Sequence, residues 1–109
     1  MRTDSQKLVR DRIPELLAEA GIAHESSVLA DEAFRIALYK KLFEEAGEVV
    51  SASADERLEE LADAQEVLDT IASLSGFTRE HVRAVQEQKR EARGGFEKRI
   101  MLHWFEEQT

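Results

Sequence analysis

Apolar residues recur every three or four positions through most of this chain, which is the spacing of amphipathic α-helices. Residues that cap or break helices interrupt the pattern and divide it into four predicted helices. They are predicted to run from Pro14 to Gly21, from Asp31 to about Ala52, from a capping box at residues 53–56 to about Ser75, and from Thr78 to the glycine pair at 94–95. Residues 22–29 carry no helical period and are expected to be extended. The mostly apolar residues 100–105 are expected to form a short strand or a packed tail.

Few signals for β-structure remain, so the pattern predicts an all-α protein, an antiparallel bundle of about four helices. The second and third predicted helices are joined by a very short connection, and we expect them to lie side by side in opposite directions. A length of 109 residues suits a single domain spanning residues 1–109. A domain of this size buries only a modest fraction of its surface, so we expect oligomerisation to complete the bundle.

The composition excludes several classes of protein. The chain has no cysteine, so neither a disulfide framework nor a thiolate metal site is available. No apolar run approaches the roughly 20 residues of a membrane span. The polar opening of the chain is not typical of a signal peptide, so we expect a cytoplasmic protein with no membrane partner. A net charge of -8 opposes binding to a duplex phosphate backbone, and we expect no nucleic-acid partner.

Basic residues gather near the two ends of the chain, around an acidic middle. They are Lys7, Arg10 and Arg12 near the start, and Lys89, Arg90, Arg93, Lys98 and Arg99 near the finish. This distribution suits a small, highly charged anion bridged by a metal ion. From charge alone, an ordinary solvated surface is the simpler explanation.

The second predicted helix carries two acidic residues at or beside its apolar face. On a helical wheel, Glu45 falls inside the apolar stripe, between Phe34 and Leu38, and Glu48 falls at the margin of that stripe. Glu44 points to the polar side. An ionised carboxylate in an apolar seam is costly unless another charge neutralises it.

The third predicted helix repeats this arrangement, with Glu60 inside its apolar stripe and Asp63 at the edge. Both acidic pairs therefore face the seam between the two helices. Lys41 precedes Glu45 by four residues and can pair with it, but one lysine cannot neutralise four acids. Oxygen-only ligands in a compact group suit Mg²⁺ or Mn²⁺. The alternative is a salt-bridged bundle that holds no ion.

These acidic residues also carry a family resemblance. KLFEEAGE at residues 41–48, followed by ELAD at residues 60–63, resembles the E-E-x-x-E…E-x-x-D signature of the MazG-like, all-α nucleoside triphosphate pyrophosphohydrolases. KLVRDRIPE at residues 7–15 and RGGFEKRI at residues 93–100 are similar to a branch described as phosphoribosyl-ATP pyrophosphohydrolase-like. The resemblance covers nearly the whole chain, from Lys7 to Ile100.

The resemblance implies a helical fold, usually dimeric or tetrameric, and an activity that converts a nucleoside triphosphate to the monophosphate and pyrophosphate. Its metal ligands would correspond to Glu45, Glu48, Glu60 and Asp63 of this chain, with Mg²⁺ as the ion and Mn²⁺ as a substitute. Glu45 or Glu48 would also accept the proton of the attacking water. Lys89 and Arg93 would meet phosphate oxygens, and Lys7 and Arg10 are weaker candidates for that role.

Two other functions stay open at this stage. One is hydrolysis of phosphoribosyl-ATP, which the same superfamily performs. The other is a non-catalytic helical module that oligomerises or binds a partner, with its acidic residues solvated or ion-paired. The three histidines show no spacing for a catalytic triad or a zinc site, and Trp104 and Phe105 are expected to pack on the bundle or on a second subunit.

Overall fold

The structure, a computed structural model, describes residues 1–108 and contains four α-helices and no β-strand within that range. In chain order the helices are α1 (Ile13–Glu19), α2 (Asp31–Ser51), α3 (Arg57–Leu74) and α4 (Arg79–Arg93). The prediction of an all-α protein with four helices is confirmed. No helix in this part of the chain is both long enough and apolar enough to cross a membrane.

Local sequence signals explain both ends of α1. Pro14 lies in the first turn, where a missing backbone N–H costs no helical hydrogen bond. Gly21 follows the helix with a φ of +71°, a left-handed conformation that glycine adopts without steric cost. The N–H of the next residue, Ile22, donates to the carbonyl of Leu17 at 2.9 Å and closes the last turn. The predicted limits of this helix are confirmed to within a residue or two.

The start of α2 differs from the prediction. Asp31 is the first helical residue and not the cap, and the preceding Ala30 makes no side-chain capping bond. The prediction was wrong by one position, because the extended backbone ends at Ala30 and the helical conformation begins directly after it. The carboxylate of Asp31 still lies at the positive end of the helix dipole, where a negative charge is favourable.

The predicted capping box at residues 53–56 is also wrong. These residues instead form a tight turn, in which the carbonyl of Ser53 accepts hydrogen bonds from two following N–H groups, and α3 begins only at Arg57. The side chain of Arg57 then reaches back: its Nε donates to the carbonyl of Val49 at 3.2 Å, and its Nη2 donates to that of Ala52. Arg57 therefore supplies donors to the otherwise unpaired carbonyl end of α2.

The capping prediction for α4 is confirmed. The hydroxyl of Thr78 accepts a hydrogen bond from the N–H of His81 at 3.1 Å, and the N–H of Thr78 donates to His81 Nδ1 at the same distance. One ion pair links the start of α4 to α3, with Arg79 Nη2 at 3.1 Å from Asp69 Oδ2. Gly94 ends the helix with a φ of +82°.

Only part of this helical chain packs against itself. α2 and α3 lie side by side as an antiparallel hairpin, α4 contacts α3 lightly, and α1 packs against no other helix within residues 1–108. The buried apolar side chains described are Leu38, Val67 and Ala72. The radius of gyration is 18.8 Å, whereas a compact domain of this length has about 13 Å. The four helices of one chain therefore do not surround a shared core.

The C-terminal segment, residues 100–105, forms neither the strand nor the packed tail that its apolar pattern predicted. It has no regular secondary structure, and its large apolar side chains are mostly exposed, including Trp104 at 76%. The helix that precedes this segment, α4, makes little contact with α3, so helical packing does not bring the segment onto the hairpin. Apolar side chains on the hairpin are exposed as well, among them Phe43 at 79% and Leu58 at 77%.

Candidate metal centre between the second and third helices

Glu45 is the buried acidic residue of the hairpin. It lies on α2 seven residues after Leu38, which is about two helical turns, so both side chains share one face. Leu38 is 2% exposed and Glu45 is 8% exposed. The wheel prediction that Glu45 lies within the apolar stripe agrees with this placement, because the face that buries Leu38 against α3 also buries Glu45.

Glu60 and Asp63 face Glu45 from the other side of the seam. Both are half-buried residues of α3, and they precede the buried Val67 by seven and four positions, which places them on its face of the helix. One carboxylate oxygen from each of Glu45, Glu60 and Asp63 lies within 4.8 Å of the other two. We call these three residues the acidic cluster.

Glu48, the fourth predicted ligand, lies beside the acidic cluster but is not one of its three close oxygens. Its side chain is exposed, as the margin of the wheel predicted. It is still near enough that its charge helps to raise the pKa of Glu60. The neighbouring Gly47 has open space, since a Cβ placed there would meet nothing within 4 Å.

Two of the three clustered carboxylates have a basic partner. Lys41 Nζ lies 3.2 Å from Glu45 Oε1, so the predicted pair with Lys41 is confirmed. Arg10 Nη2 donates to Asp63 Oδ1 at 2.7 Å. Glu60 has no basic partner in residues 1–108, which leaves one negative charge of the acidic cluster uncompensated.

The surroundings of Glu60 disfavour its ionised form. Desolvation raises the pKa of Glu60 above its usual value, and the nearby charges of Glu48, Asp63, Glu45 and Glu56 raise it further. Such a carboxylate gains stability from a proton or from a cation placed among the three oxygens. The donor set contains only oxygen, which is the ligand type that Mg²⁺ and Mn²⁺ prefer. The residues present therefore fit a hard divalent ion.

The predicted phosphate-binding residues take different places. Arg10 is at the acidic cluster, where it contacts a carboxylate of its own chain across 53 residues of sequence. Lys7, Lys89 and Arg93 are exposed, and none of them forms an ion pair with the acidic cluster within the described residues. Opposite charge alone does not single out one partner among many acidic residues, which is why sequence analysis missed the contact between Arg10 and Asp63.

The RGGFEKRI motif folds back on α4. Arg90 pairs with Glu97 across the two glycines, and a Cβ at Gly95 would lie 2.5 Å from atoms of both side chains. The glycine leaves room for this ion pair. Two concave surfaces lie in this part of the chain, one beside Glu87, Arg90 and Glu91 and one along the C-terminal segment.

No family model, curated protein or solved structure matches the chain. The likeness to the MazG-like enzymes therefore rests on the sequence motifs, and the chemistry of the site rests on the acidic cluster itself.

Replacing Glu60 with glutamine is expected to raise the thermal midpoint of the metal-free protein at neutral pH. The raised pKa means that ionising Glu60 costs more in the folded state than in the unfolded state. This penalty is absent below the usual pKa of 4.5, where the group is protonated in both states, and it appears as the pH rises through the raised value. The gain should therefore shrink as the pH falls toward 4.5.

Differential scanning fluorimetry in EDTA at several pH values measures this effect. Glu59→Gln is the matched control, because it removes the same charge from the adjacent, exposed position. Equal gains for the two variants at neutral pH, or a gain for Glu60→Gln that does not vary with pH, would contradict the assignment.

Proposed function

We propose that this protein is a MazG-like nucleoside triphosphate pyrophosphohydrolase that acts in the cytoplasm with Mg²⁺, or Mn²⁺ in its place. The observation that supports the proposal is the convergence of Glu45, Glu60 and Asp63 within 4.8 Å, with no basic partner for Glu60 among the described residues. These are three of the four positions that match the acidic signature of that class. Glu48, the fourth, is adjacent.

In this proposal the acidic cluster and Glu48 hold the metal. The bound ion would lower the pKa of a water molecule and offset negative charge on the triphosphate. A water oriented by the carboxylates attacks the α-phosphorus, the bond to the bridging oxygen between the α- and β-phosphorus breaks, and pyrophosphate leaves. Glu48 is better placed than Glu45 to accept the proton of that water, because Glu45 is paired with Lys41 whereas Glu48 is exposed.

The proposed phosphate contacts come from α4. Lys89 and Arg93 are four residues apart, so they lie on one face of the helix and can hold neighbouring phosphate oxygens. Because α4 contacts α3 only lightly, these two cations are not held against the acidic cluster of their own chain. We therefore propose that Lys89 and Arg93 bind phosphate oxygens at the acidic cluster of a second copy. Lys7 and Arg10 remain weaker candidates for phosphate binding.

A homodimer or homotetramer follows from the same geometry. Apolar side chains of the hairpin and of the C-terminal segment are exposed in the single chain, and packing against another chain would bury them. Charge supports a second copy as the partner, because residues 31–74 contain 12 acidic and four basic residues, whereas residues 79–105 contain seven basic and four acidic residues. One copy's C-terminal segment would then lie on its partner's hairpin.

Light scattering is expected to give a mass of two or four times 12.4 kDa. Phe43→Ser should shift the population toward monomers, since Phe43 is 79% exposed in the single chain and its loss removes no internal contact of note. Trp104 is the sole tryptophan, so its fluorescence emission should move to longer wavelength as the oligomer dissociates. Lys40→Ser, an exposed polar change on the same helix, is the control. A monomeric wild-type protein at working concentration would contradict the proposal.

Pyrophosphate release from a nucleoside triphosphate should fall by about 100-fold or more in Glu48→Gln, the typical contribution of a general base. Asp63→Asn should lose activity comparably through loss of a metal ligand. Glu66→Gln, an exposed acidic residue of α3 outside the acidic cluster, is the control and should retain activity. The assay measures pyrophosphate with Mg²⁺ across canonical and modified nucleotides. Normal turnover in folded samples of both variants would refute the mechanism.

The two alternatives from the sequence have distinct outcomes in the same panel. Preferential cleavage of phosphoribosyl-ATP would assign the other activity of the superfamily. The ion pairs of Lys41 and Arg10 with the acidic cluster favour the second alternative, a non-catalytic helical module. That module predicts no pyrophosphate from any nucleotide and no rise in melting temperature with Mg²⁺ or Mn²⁺, whereas a bound ion stabilises the folded state.

A further inference from the structure

The contact between Arg10 and Asp63 joins two distant parts of the chain at one point. Arg10 belongs to the N-terminal segment, residues 1–12, which precedes α1 and has no helix or strand. Its Nη2 lies 2.7 Å from Asp63 Oδ1, and no other ion pair in residues 1–108 connects this segment to the hairpin. Leu8 is the one half-buried residue of the segment. The N-terminal segment is thus attached to the acidic cluster mainly through one guanidinium.

The two sides of this contact differ in how firmly they are held. Asp63 is fixed on α3 in the packed part of the chain, whereas Arg10 lies on irregular backbone with a side chain that is 57% exposed. The bond uses one guanidinium nitrogen and one carboxylate oxygen, so it is not the bidentate arrangement that makes arginine pairs strong. An exposed pair of this kind contributes little to stability and breaks easily.

A divalent cation in the acidic cluster would compete directly with Arg10. Both need the carboxylate of Asp63, and two cations at one carboxylate repel each other. The divalent ion also draws on Glu45 and Glu60, whose oxygens lie within 4.8 Å of the oxygen from Asp63, whereas Arg10 contacts Asp63 alone. Three carboxylates would therefore attract the divalent ion, whereas only one attracts the guanidinium.

We propose that Arg10 is a resident counter-ion of Asp63 that a divalent cation displaces, so that metal binding releases the N-terminal segment from the hairpin. The inference rests on the proposed function, because it requires that the acidic cluster binds a metal. Arg10 lowers the affinity for that metal by occupying one of its ligands. Once released, the guanidinium is free to meet an anionic oxygen of a phosphate held by the same metal. Arg10 is thereby a positioning residue that sets the order of binding. The divalent cation binds first and displaces Arg10, and the phosphate binds second.

The test measures Mn²⁺ binding to the full-length protein without nucleotide, by the electron paramagnetic resonance signal of free Mn²⁺. Arg10→Ala should bind Mn²⁺ about two- to fivefold more tightly than wild type, which is the range that an exposed ion pair contributes to an equilibrium. Arg10→Lys keeps the charge and should stay near wild type. Arg12→Ala removes the same charge two residues away, where the side chain pairs locally with Glu15, and is the matched control.

The outcomes separate this inference from the proposed function. Tighter binding by Arg10→Ala than by both wild type and Arg12→Ala supports displacement. Equal or weaker binding by Arg10→Ala, with Mn²⁺ bound by every protein, overturns the displacement and leaves the metal site standing. Equal tightening by Arg12→Ala also overturns it, because the effect would then be one of net charge. Absence of Mn²⁺ binding from all of them overturns the proposed function and this inference together.

Backbone ¹⁵N relaxation supplies a second readout that does not depend on affinity. Mg²⁺ should lower the order parameters of residues 1–12 in wild type, and Asp63→Asn without metal should show the same decrease, because each removes the anchor of Arg10. Unchanged order parameters in that segment when Mg²⁺ is bound to wild type would overturn the release.

Discussion

Repulsion among like charges held on two packed helices is the constraint on which this structure depends. The hairpin of α2 and α3 buries Glu45 and turns Glu60 and Asp63 toward it, so that three carboxylate oxygens meet within 4.8 Å. Helices do not let these side chains separate freely, because the face that carries them also carries Leu38 and Val67. The acids must therefore be neutralised where they are. Lys41 and Arg10 neutralise two of them, and Glu60 remains.

The way in which each charge is balanced gives the site its chemistry. Lys41 lies one helical turn from Glu45 on the same helix, so this pair is a fixed part of α2. Arg10 reaches Asp63 from a segment without secondary structure, so that pair is exchangeable. Desolvation, and then the charges of the neighbouring acids, raise the pKa of Glu60, which has no basic partner within residues 1–108. A site with one fixed, one exchangeable and one missing counter-ion is suited to take up a divalent cation, and this supports the proposal of metal-dependent phosphate chemistry.

A second constraint is that the chain leaves much of its apolar surface uncovered. The hairpin is the one substantial helix pair within residues 1–108. The fourth helix, α4, contacts it only lightly, and the large apolar side chains of the C-terminal segment are exposed. The proposed phosphate-binding cations, Lys89 and Arg93, lie on α4. Association with a second copy would bury this apolar surface and would also bring Lys89 and Arg93 to an acidic cluster. Formation of the oligomer would therefore complete the proposed site.

Periodicity and local chemistry made much of this structure predictable. The four helices, the ends at Gly21 and Gly94 and the cap at Thr78 follow from interactions between residues close in sequence. The wheel placed Glu45, Glu60 and Asp63 on one seam because each lies at helical spacing from a buried apolar residue. The capping box at residues 53–56 failed because a tight turn between helices consumed those residues. The contact of Arg10 with Asp63 and the exposure of residues 100–105 depend on how distant segments are placed, which periodicity does not encode.

Anomalous diffraction from crystals grown with Mn²⁺ tests the central claim most directly. The account predicts an anomalous peak between the carboxylates of Glu45, Glu60 and Asp63, with the guanidinium of Arg10 moved away from Asp63. A well-ordered acidic cluster with no peak, in which Arg10 and Lys41 keep their carboxylate partners at saturating Mn²⁺, would contradict it.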